Sequence, residues 1–585
     1  MIKIQMDIST SNDGGRAKRS KMECNFGERC YRKKPEHFEE YTHSHLNELL
    51  KQMGDKIVIP PNYKSKISQQ TLIEQLEIVR KFRKSKNESN NSSAISNSSS
   101  KESTSSLRYS PPKDLANKET GKGHSNNGCK NDCQKNCSQC KMLENYKQDA
   151  LNKMKVSVKQ KMEAVHPYNI FLTTVKDSPK THEELTSISF PELLDPYFGE
   201  LESSLQINFM VELGFLLAQY GIMGYKCKPL TLLYGQCDFE LGDKFKHFLT
   251  HAKVVPPSSF GSHHTKMMAF CYKDKSVRIV VSTANLVEED WLNRTQGLWI
   301  SPKCPPLPPD SDTGAGDSIT NFKRDLLQYL SSYKLSELQP WLEILRAVDM
   351  SAVKVFFIAS VPGTHTTYRN DWGQLKMSKI LSEQIVQNDG KVIAQCSSIG
   401  SLGPNPSSWL QGDMLSVFTS SKRKGISSAP HMVLIYPSFT CISKSYDSLL
   451  GGGCLPYSKK THAKQEWLVS FLCDWNSEKR HRTRAPPHIK SYCRLSPDEK
   501  KIYYFVLTSA NMSKAAWGQR AKSGSLNILS YEAGVLLVPQ ILIGQDYFPL
   551  VNDEETTGKI FSLPYDLPVV PYSYSDVPWF IDNLM

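Results

Sequence analysis

The chain has 585 residues and a formal net charge of +13, and its length allows several domains with hydrophobic cores of ordinary size. The basic excess favours polyanionic partners such as nucleic acid, although a solvated basic tail would explain the charge equally well. The first residues lack the apolar core of a signal peptide, and no apolar run is long enough to cross a bilayer, so we expect neither secretion nor membrane association. The 15 cysteines therefore favour reduced thiols and metal sites over a disulfide framework.

Residues 1–20 are predicted to form a disordered basic tail. Its run RAKRSK, from Arg16 to Lys21, fits a nuclear-localisation signal, but short basic runs also occur as plain solvated charge. We expect the protein in the nucleus, with an additional cytoplasmic pool as the second option.

The segment 21–46 carries four residues whose spacing, C-x5-C-x6-H-x5-H, suits a metal site: Cys24, Cys30, His37 and His43. Two thiolates and two imidazoles bind tetrahedral Zn²⁺, which can stabilise a mini-domain too small for a hydrophobic core. The alternatives are a chance cluster in a disordered arm, or His45 as a competing ligand.

The surrounding sequence FGERCYRKKPEHF resembles the poly(ADP-ribose)-binding zinc fingers. The resemblance implies bound Zn²⁺ and poly(ADP-ribose) as a partner. Phe26, Tyr31 and Arg32 match the residues that contact adenine and phosphates in that family. One departure is Ser44, which stands where the family usually has proline.

Residues 47–165 are predicted to be a mostly disordered linker, because stretches such as KSKNESNNSSAISNSSSKESTSS cannot bury enough apolar surface to fold. Helical spacing of leucine and isoleucine predicts one helix from Gln69 to Arg83, either a local cap or a partner-binding helix. A polar segment then carries a C-x3-C-x3-C-x2-C cluster, which suits either one metal ion or a set of idle or redox-active thiols: Cys129, Cys133, Cys137 and Cys140.

From residue 166 onward, strand-like runs such as VRIVVST and IYYFVLTSA alternate with helical patterns. This alternation predicts the α/β class, with mixed sheets flanked by helices. A motif recurs in the two parts of this region, and we therefore expect two homologous domains, 166–349 and 350–585, that form one shared active site. The proline-rich segment from Pro305 to Asp317 is predicted to be a surface loop within the first domain.

Each copy of the motif has a His, a Lys two residues later, then an Asn and a Trp: His264, Lys266, Asn285 and Trp291 in the first, His488, Lys490, Asn511 and Trp517 in the second. One imidazole can attack phosphorus while the other moves protons, and Lys and Asn can stabilise the charged oxygens without a metal. A single His-x-Lys is usually a chance surface occurrence, but the matched second copy favours a two-histidine phosphodiesterase site. The two Trp residues are predicted to pack in the core.

The segments FGSHHTKMMAF, STANLVEEDW and RTQGLWISP resemble the tyrosyl-DNA phosphodiesterases of the phospholipase D superfamily, and so do PPHIKSY, TSANMSKAAWG and SYEAGVLLVP. The wider superfamily follows His-x-Lys with Asp, whereas Asn285 and Asn511 complete the sets here, which argues against a phospholipase. The resemblance implies a DNA-repair hydrolase that releases tyrosine, as in topoisomerase I adducts, and other blocking groups from DNA 3′ ends. It would work through a phosphohistidine, leave a 3′-phosphate and need no cofactor for catalysis.

The resemblance also implies individual roles. His264 matches the nucleophile and His488 the general acid and base, while Lys266, Lys490, Asn285 and Asn511 match the phosphate-binding quartet. Glu532 matches the carboxylate that orients the nucleophile, and Gln296 the partner of the second His. The residues matching the substrate groove are Phe260, Gly261, Ser397 and Ser398 on the DNA side and Pro456 and Trp579 on the peptide side. The family often has an aromatic hydroxyl where this chain has Phe209, so any hydrogen bond from that hydroxyl is lost.

The partners implied are single- or double-stranded DNA with 3′ adducts, a topoisomerase I-derived peptide and poly(ADP-ribose), and we expect a monomer. Two alternatives remain open at this point. One is another phosphodiesterase of the same superfamily that acts on RNA or lipid. The other is a non-catalytic poly(ADP-ribose) or DNA adaptor.

Overall fold

The computed structural model describes residues 154–238, 245–553 and 558–584 except positions 313, 367, 369 and 424–430, together with parts of 22–81 and 145–152. The chain divides into two compact units, one within residues 1–132 and one from Cys133 to Leu584. The predicted basic tail and the cysteine cluster at 129–140 lie outside the described residues, as do Phe26, Tyr31 and Arg32. No helix among the described residues has the length and apolar character needed to cross a membrane.

The described residues of the amino-terminal unit include the short parallel strands β1 (Met22–Glu23) and β2 (Tyr41–Thr42) and the helices α1 (Ser44–Lys51) and α2 (residues 71–81). Glu23 fixes the start of α1, because its carboxylate accepts hydrogen bonds from the Ser44 backbone N–H at 2.6 Å and the Ser44 hydroxyl at 2.9 Å. The proline usual in the finger family could not donate the first of these bonds.

A small core joins α1 and α2. Leucines at helical spacing bury one face of each helix against the other and against Phe38: Leu46, Leu49 and Leu50 on α1, Leu72, Leu76 and Val79 on α2. The helix predicted from Gln69 to Arg83 is therefore a cap on this unit. The compact amino-terminal structure accordingly continues past residue 46, where the sequence placed the end of the finger.

The first half of the larger unit is built on an eight-stranded mixed sheet with the order β4-β3-β10-β9-β8-β5-β6-β7. Its strands are β3 (Ile170–Thr173), β4 (Ser187–Ile188), β5 (Leu201–Val211), β6 (Leu230–Cys237), β7 (Leu249–Lys253), β8 (Met267–Tyr272), β9 (Val277–Ser282) and β10 (Gly297–Ile300). Every residue of β8 and all but Arg278 of β9 are buried, which suits strands covered on both faces.

The second half contains a nine-stranded sheet with the order β11-β20-β17-β16-β13-β14-β15-β22, in which β21 also pairs with β17, and a separate small sheet β12-β19-β18. The strands are β11 (Phe356–Ser360), β12 (Gly363–His365), β13 (Lys391–Gln395), β14 (His431–Ile435), β15 (Leu472–Asp474), β16 (Ser491–Leu495), β17 (Lys501–Thr508), β18 (Gln519–Arg520), β19 (Leu526–Ile528), β20 (Glu532–Leu537), β21 (Phe548–Pro549) and β22 (Val570–Pro571).

The two large sheets share one topology. The run β3-β10-β9-β8-β5-β6-β7 corresponds strand for strand to β11-β20-β17-β16-β13-β14-β15. The directions also agree, since the last three strands of each run are parallel and the other neighbours antiparallel. The predicted fold class of two phospholipase D-like α/β halves is confirmed.

Helices cover the outer faces of the sheets and link the halves. They are α3 (Val158–Val165), α4 (Leu213–Ile222), α5 (Glu288–Leu292), α6 (Phe322–Ser332), α7 (Gln339–Arg346), α8 (Gly373–Gln384), α9 (Leu415–Phe418), α10 (Phe439–Ser443), α11 (Lys459–His462), α12 (Lys514–Trp517) and α13 (Pro539–Leu542). A π-helical turn spans Leu410–Met414, and short 3-10 helices lie at Pro179–His182, Pro191–Leu194, Pro196–Phe198, Ser336–Leu338, Pro406–Ser408, Ser448–Cys454, Glu466–Phe471 and Ile581–Leu584.

The largest core is shared by the two halves. It includes residues from both sheets, among them Leu205 and Leu507, and residues of α6 and α7. At Gly297 the halves approach so closely that an added Cβ would lie 2.6 Å from the side chains of Ile489 and Leu507. The globular fold begins before residue 166, because the N-capped helix α3 packs its Val158 and Val165 into the core of the first half.

Candidate active site and metal centre

Both His-x-Lys segments are extended backbone that leads into matching strands, β8 and β16, near the contact between the halves. The backbone N–H of His264 donates to the Tyr531 carbonyl at 2.9 Å, and that of His488 donates to the Thr295 carbonyl at the same distance. Tyr531 directly precedes Glu532, and Thr295 directly precedes Gln296. Each His is therefore held against the other half of the fold, beside the residue that contacts its ring.

The residues on either side of His264 point away from the site, as alternation along an extended segment requires. His263 contacts the Tyr333 hydroxyl through Nε2 at 3.0 Å, and Thr265 contacts the Tyr329 hydroxyl. Both tyrosines belong to the α6 region and are buried. These contacts fix the backbone of His264 from behind.

His264 has a carboxylate at its Nδ1. The distance to Glu532 Oε2 is 2.9 Å, and the Ser509 hydroxyl donates to the same oxygen at 2.5 Å. Burial lowers the pKa of His264, Lys266 and Lys490 lower it further, and Glu532 opposes the shift. A neutral ring whose Nδ1–H donates to Glu532 has its lone pair on Nε2, which is the form that a nucleophile needs.

His488 has two neighbours at its Nδ1, and only one of them was predicted. Gln296 Nε2 lies 2.9 Å from this nitrogen, as the resemblance implied. Asp290 Oδ2 lies 3.2 Å from the same atom, and sequence reasoning missed this residue. Burial lowers the pKa of His488, and Lys490 adds to the shift while Asp290 opposes it. The signal that could have found Asp290 is a carboxylate inside one motif copy, next to Trp291, where the second copy has Ala516.

Lys266 and Lys490 are buried, and their ammonium groups donate to the carbonyls of His264 and His488. Burial, together with the charge of Lys490, lowers the pKa of Lys266 to about 7. Burial also lowers the pKa of Lys490 to about 8, although Asp290 and Glu532 act in the opposite direction. Both pKa values are lowered despite the nearby carboxylates, so an additional anion beside the two lysines would be stabilised.

The two asparagines are held differently. Asn511 Oδ1 accepts hydrogen bonds from the backbone N–H groups of Ser397 and Ser398 at 3.0 Å each, and from the Ser397 hydroxyl at 3.2 Å. Its amide N–H groups are thereby left to face the site. Asn285 is buried, and its Oδ1 has no partner among the described residues. Ser397 was predicted to contact DNA, but it is buried and positions Asn511 instead.

The predicted groove residues differ in exposure. Phe260 is 85% exposed and Pro456 is exposed, so both can meet substrate. Gly261 has no room for a side chain, since a Cβ would lie 2.0 Å from the Leu529 carbonyl oxygen. Trp579 is fully buried and donates to the Gly452 carbonyl at 3.0 Å, so it does not line a groove as the resemblance implied.

Phe209 lies beside His264 and Lys266. Its ring centroid is 5.6 Å from that of His264 and 5.4 Å from Lys266 Nζ. An aromatic face next to the ammonium gives a cation–π contact without a hydrogen-bonding group. The predicted core packing of Trp291 and Trp517 is also found, since both rings are buried.

In the amino-terminal unit, the predicted metal ligands converge. The side chains of Cys24, Cys30, His37 and His43 are all buried, and their ligand atoms lie within 4.8 Å of one another. His37 Nε2 is 3.2 Å from His43 Nε2, 3.2 Å from Cys30 Sγ and 3.4 Å from Cys24 Sγ. A zinc tetrahedron with bonds of about 2.0 Å to N and about 2.3 Å to S places an N–N pair about 3.3 Å apart and an N–S pair about 3.5 Å apart, so these residues fit Zn²⁺.

Burial and the nearby His37 lower the pKa of His43 to about 4, which keeps this ring neutral and able to bind a metal. His43, and not His45, completes the group. From α2, the buried Gln75 donates through Nε2 to the Cys30 carbonyl at 2.5 Å. The cap helix therefore also holds a ligand loop of the metal centre.

Comparison with known proteins agrees with this geometry. A family model described as tyrosyl-DNA phosphodiesterase matches residues 169–573, which include both His-Lys-Asn sets, Gln296 and Glu532. The chain belongs to the tyrosyl-DNA phosphodiesterase family. It is accordingly a phosphodiesterase of DNA repair, in a family that needs no metal for catalysis. A second model, the PBZ domain, matches residues 21–46.

Curated relatives extend the match over most of the chain. The Drosophila melanogaster protein named Tyrosyl-DNA phosphodiesterase 1 is 43% identical over 588 residues, covering 96% of this chain and 99% of the relative. A Caenorhabditis elegans protein named Probable tyrosyl-DNA phosphodiesterase is 32% identical, covering 72% and 90%. Among solved structures, the yeast tyrosyl-DNA phosphodiesterase has the same fold, with a TM-score of 0.55 at 19% identity, covering 70% of this chain and 99% of that one.

Proposed function

We propose that this enzyme hydrolyses the phosphodiester between a DNA 3′ end and a tyrosine, and that it also removes other groups that block DNA 3′ ends. The observation that supports the proposal most directly is the pair of His residues, His264 and His488, each with its Nδ1 held by the other half and followed by a buried Lys. Two imidazoles and two cations around one anion site suit in-line displacement at phosphorus.

In the first step, His264 Nε2 attacks phosphorus and the bond from phosphorus to the tyrosine oxygen breaks. His488 gives its Nε2 proton to the departing phenolate, whose conjugate acid has a pKa of about 10 and needs only modest help. Glu532 holds the His264 Nδ1 proton and stabilises the positive charge that develops on the ring. Lys266 and Lys490 neutralise the nonbridging oxygens, and the Asn511 amide donates to them.

In the second step, water attacks the phosphohistidine and His488, now neutral, accepts the water proton at Nε2. The bond from phosphorus to His264 Nε2 breaks, which releases a 3′-phosphate and restores the nucleophile. Water is a poorer nucleophile than imidazole, so this step depends on His488 more strongly than the first one does.

The exposed Phe260 ring supports contact with DNA bases, because an aromatic face stacks on any base whatever the sequence. We assign a topoisomerase I-derived peptide to the opposite side, where Pro456 is exposed. Both single- and double-stranded DNA are proposed as substrates, and the enzyme is proposed to act as a monomer in the nucleus.

The metal centre supports a second function in the amino-terminal unit. We propose that Zn²⁺ bound by Cys24, Cys30, His37 and His43 orders a finger that binds poly(ADP-ribose). The supporting observations are the tetrahedral ligand spacing and the PBZ match. Such a finger would concentrate the enzyme where poly(ADP-ribose) accumulates, at DNA breaks.

Turnover of a 3′-phosphotyrosyl oligonucleotide tests the proposed activity, with a phospholipid and an RNA diester as competing substrates. We expect a 3′-phosphate product that forms equally well with a chelator present, and no product with the His264→Ala variant. Preferred cleavage of the lipid or the RNA would overturn the substrate assignment. DNA binding without turnover of any of the three would favour the adaptor alternative.

A further inference from the structure

Asp290 lies in the catalytic centre without a role in the reaction as described so far. It is buried on α5, five residues after Asn285. Its Oδ2 accepts the Asn285 backbone N–H at 2.6 Å and lies 3.2 Å from His488 Nδ1. One carboxylate oxygen thus joins the phosphate-binding loop of the first half to the proton-transfer residue of the second.

The other neighbour of His488 Nδ1 can act only as a donor. The Thr283 hydroxyl donates to Gln296 Oε1 at 2.8 Å, and its oxygen accepts the Gly297 backbone N–H at 3.0 Å. This leaves the amide nitrogen of Gln296 facing His488 Nδ1 at 2.9 Å and the Asp290 carbonyl at 3.3 Å. An N–H group at that place stabilises a deprotonated Nδ1 and therefore a ring with its proton on Nε2.

Both tasks of His488 require the opposite arrangement. As an acid it is doubly protonated, and as a base it needs its lone pair on Nε2. Nδ1 carries a proton in each case, and that proton needs an acceptor, which Gln296 cannot provide. We propose that Asp290 is a positioning residue that keeps a proton on His488 Nδ1 through both steps, so that Nε2 alone gives and takes the transferred proton.

The two halves differ in where the carboxylate beside the histidine Nδ1 comes from. Position 532 corresponds to position 296 in the matched topology. The residue just before each of them, Tyr531 or Thr295, accepts the backbone N–H of the histidine from the other half. The first His receives its carboxylate there, from Glu532. The second receives an amide there, and its carboxylate comes from α5, at a position where the other copy has the buried Ala516. An acid and base residue must alternate between charged and neutral forms, and the Asp290 carboxylate can accept the Nδ1 proton in both.

The inference rests on the proposed phosphodiesterase activity, and the test uses the full-length enzyme with the 3′-phosphotyrosyl oligonucleotide. The Asp290→Asn variant keeps an oxygen for Asn285 but loses the charge. We expect its covalent adduct to hydrolyse about 10- to 100-fold more slowly than that of the wild type, as for the loss of a charged hydrogen bond. Glu288→Gln, which removes an exposed carboxylate from the same helix, should behave as wild type.

A second comparison separates this role from a structural one. Because Asp290 acts through His488, Asp290→Asn should change adduct hydrolysis less than twofold in a His488→Asn background. Histidine ¹⁵N spectra, with the His488 signal assigned by its loss in His488→Asn, should show a protonated Nδ1 in the wild type and a shift toward protonated Nε2 in Asp290→Asn.

The charged groups facing His488 are Asp290, Lys490 and Lys266, with Cys454 near Lys490. Losing the Asp290 charge should therefore move the acid limb of adduct hydrolysis to lower pH. Equal losses in the two backgrounds, a wild-type rate in Asp290→Asn, or an unchanged tautomer would overturn the inference. A wild-type enzyme that fails to cleave the substrate would instead overturn the proposed function.

Discussion

Binding of a phosphodiester should be coupled to proton uptake by Lys266 and Lys490. In the empty site burial lowers the pKa of these residues to about 7 and about 8. At pH 8, Lys266 is then only about one-tenth protonated and Lys490 about one-half. A bound phosphodiester anion adds negative charge beside both groups and favours their ammonium form, so the two lysines together should take up about 1.4 protons per site at pH 8 and only about 0.1 at pH 6, in addition to the proton that His488 takes up as the acid.

Calorimetry in two buffers with different ionisation enthalpies measures this uptake. The His264→Ala variant is suitable because it keeps both lysines and cannot react, and the 3′-phosphotyrosyl diester does not itself titrate near neutrality. Titration with the same oligonucleotide carrying a 3′-hydroxyl measures the proton uptake that occurs outside the phosphodiester site. Adding Lys266→Met should remove about 0.9 proton at pH 8. Uptake below about 0.3 proton at pH 8, or uptake that Lys266→Met leaves unchanged, would refute the reasoning about the lysines.

Three further predictions concern other contacts. Glu532→Gln should slow adduct formation about 10- to 150-fold, because a charged hydrogen bond contributes about 1.5–3 kcal/mol. An unchanged single-turnover rate would contradict the role of Glu532. Gly261→Ala should lower both activity and Tm, because the new Cβ would meet the Leu529 carbonyl. The control Gly214→Ala should lower neither, because a Cβ at that position meets nothing within 4 Å. Equal effects of the two substitutions would refute the argument. Gln75→Leu should release Zn²⁺ to a competing chelator about tenfold faster, with turnover of the oligonucleotide unchanged, and wild-type release would show that α2 does not support the metal centre.

Much of the catalytic centre could be predicted because the gene duplication is visible in the residues. His264 and His488, with their Lys and Asn companions, repeat at nearly equal spacing, and the structure places each set at the end of equivalent strands. Gln296 and Glu532 occupy matching positions as well. The alternation of apolar runs was sufficient for the α/β class, but the strand order depends on pairings between distant segments, which periodicity does not encode.

The residues that were missed, or that were predicted with another role, act through features that the two copies of the motif do not share. Asp290 has no counterpart in the second copy, so the comparison of motifs passed over it. Ser397 and Ser398 hold Asn511 mainly through backbone N–H groups, which any residue type could supply. Trp579 is buried by packing against Gly452, a contact between segments over a hundred residues apart in the chain. The start of the fold at α3 was hidden because its helix is polar on one side and adjoins a low-complexity linker.

The unequal roles of the two histidines are the central claim, and the covalent adduct tests them most directly. Each variant is mixed with the 3′-phosphotyrosyl oligonucleotide, quenched, and mapped by mass spectrometry under conditions that preserve phosphohistidine. We expect His488→Asn to accumulate DNA attached to His264 and to clear it slowly, and His264→Ala to form no adduct. An adduct on His488, or any adduct in His264→Ala, would contradict the account.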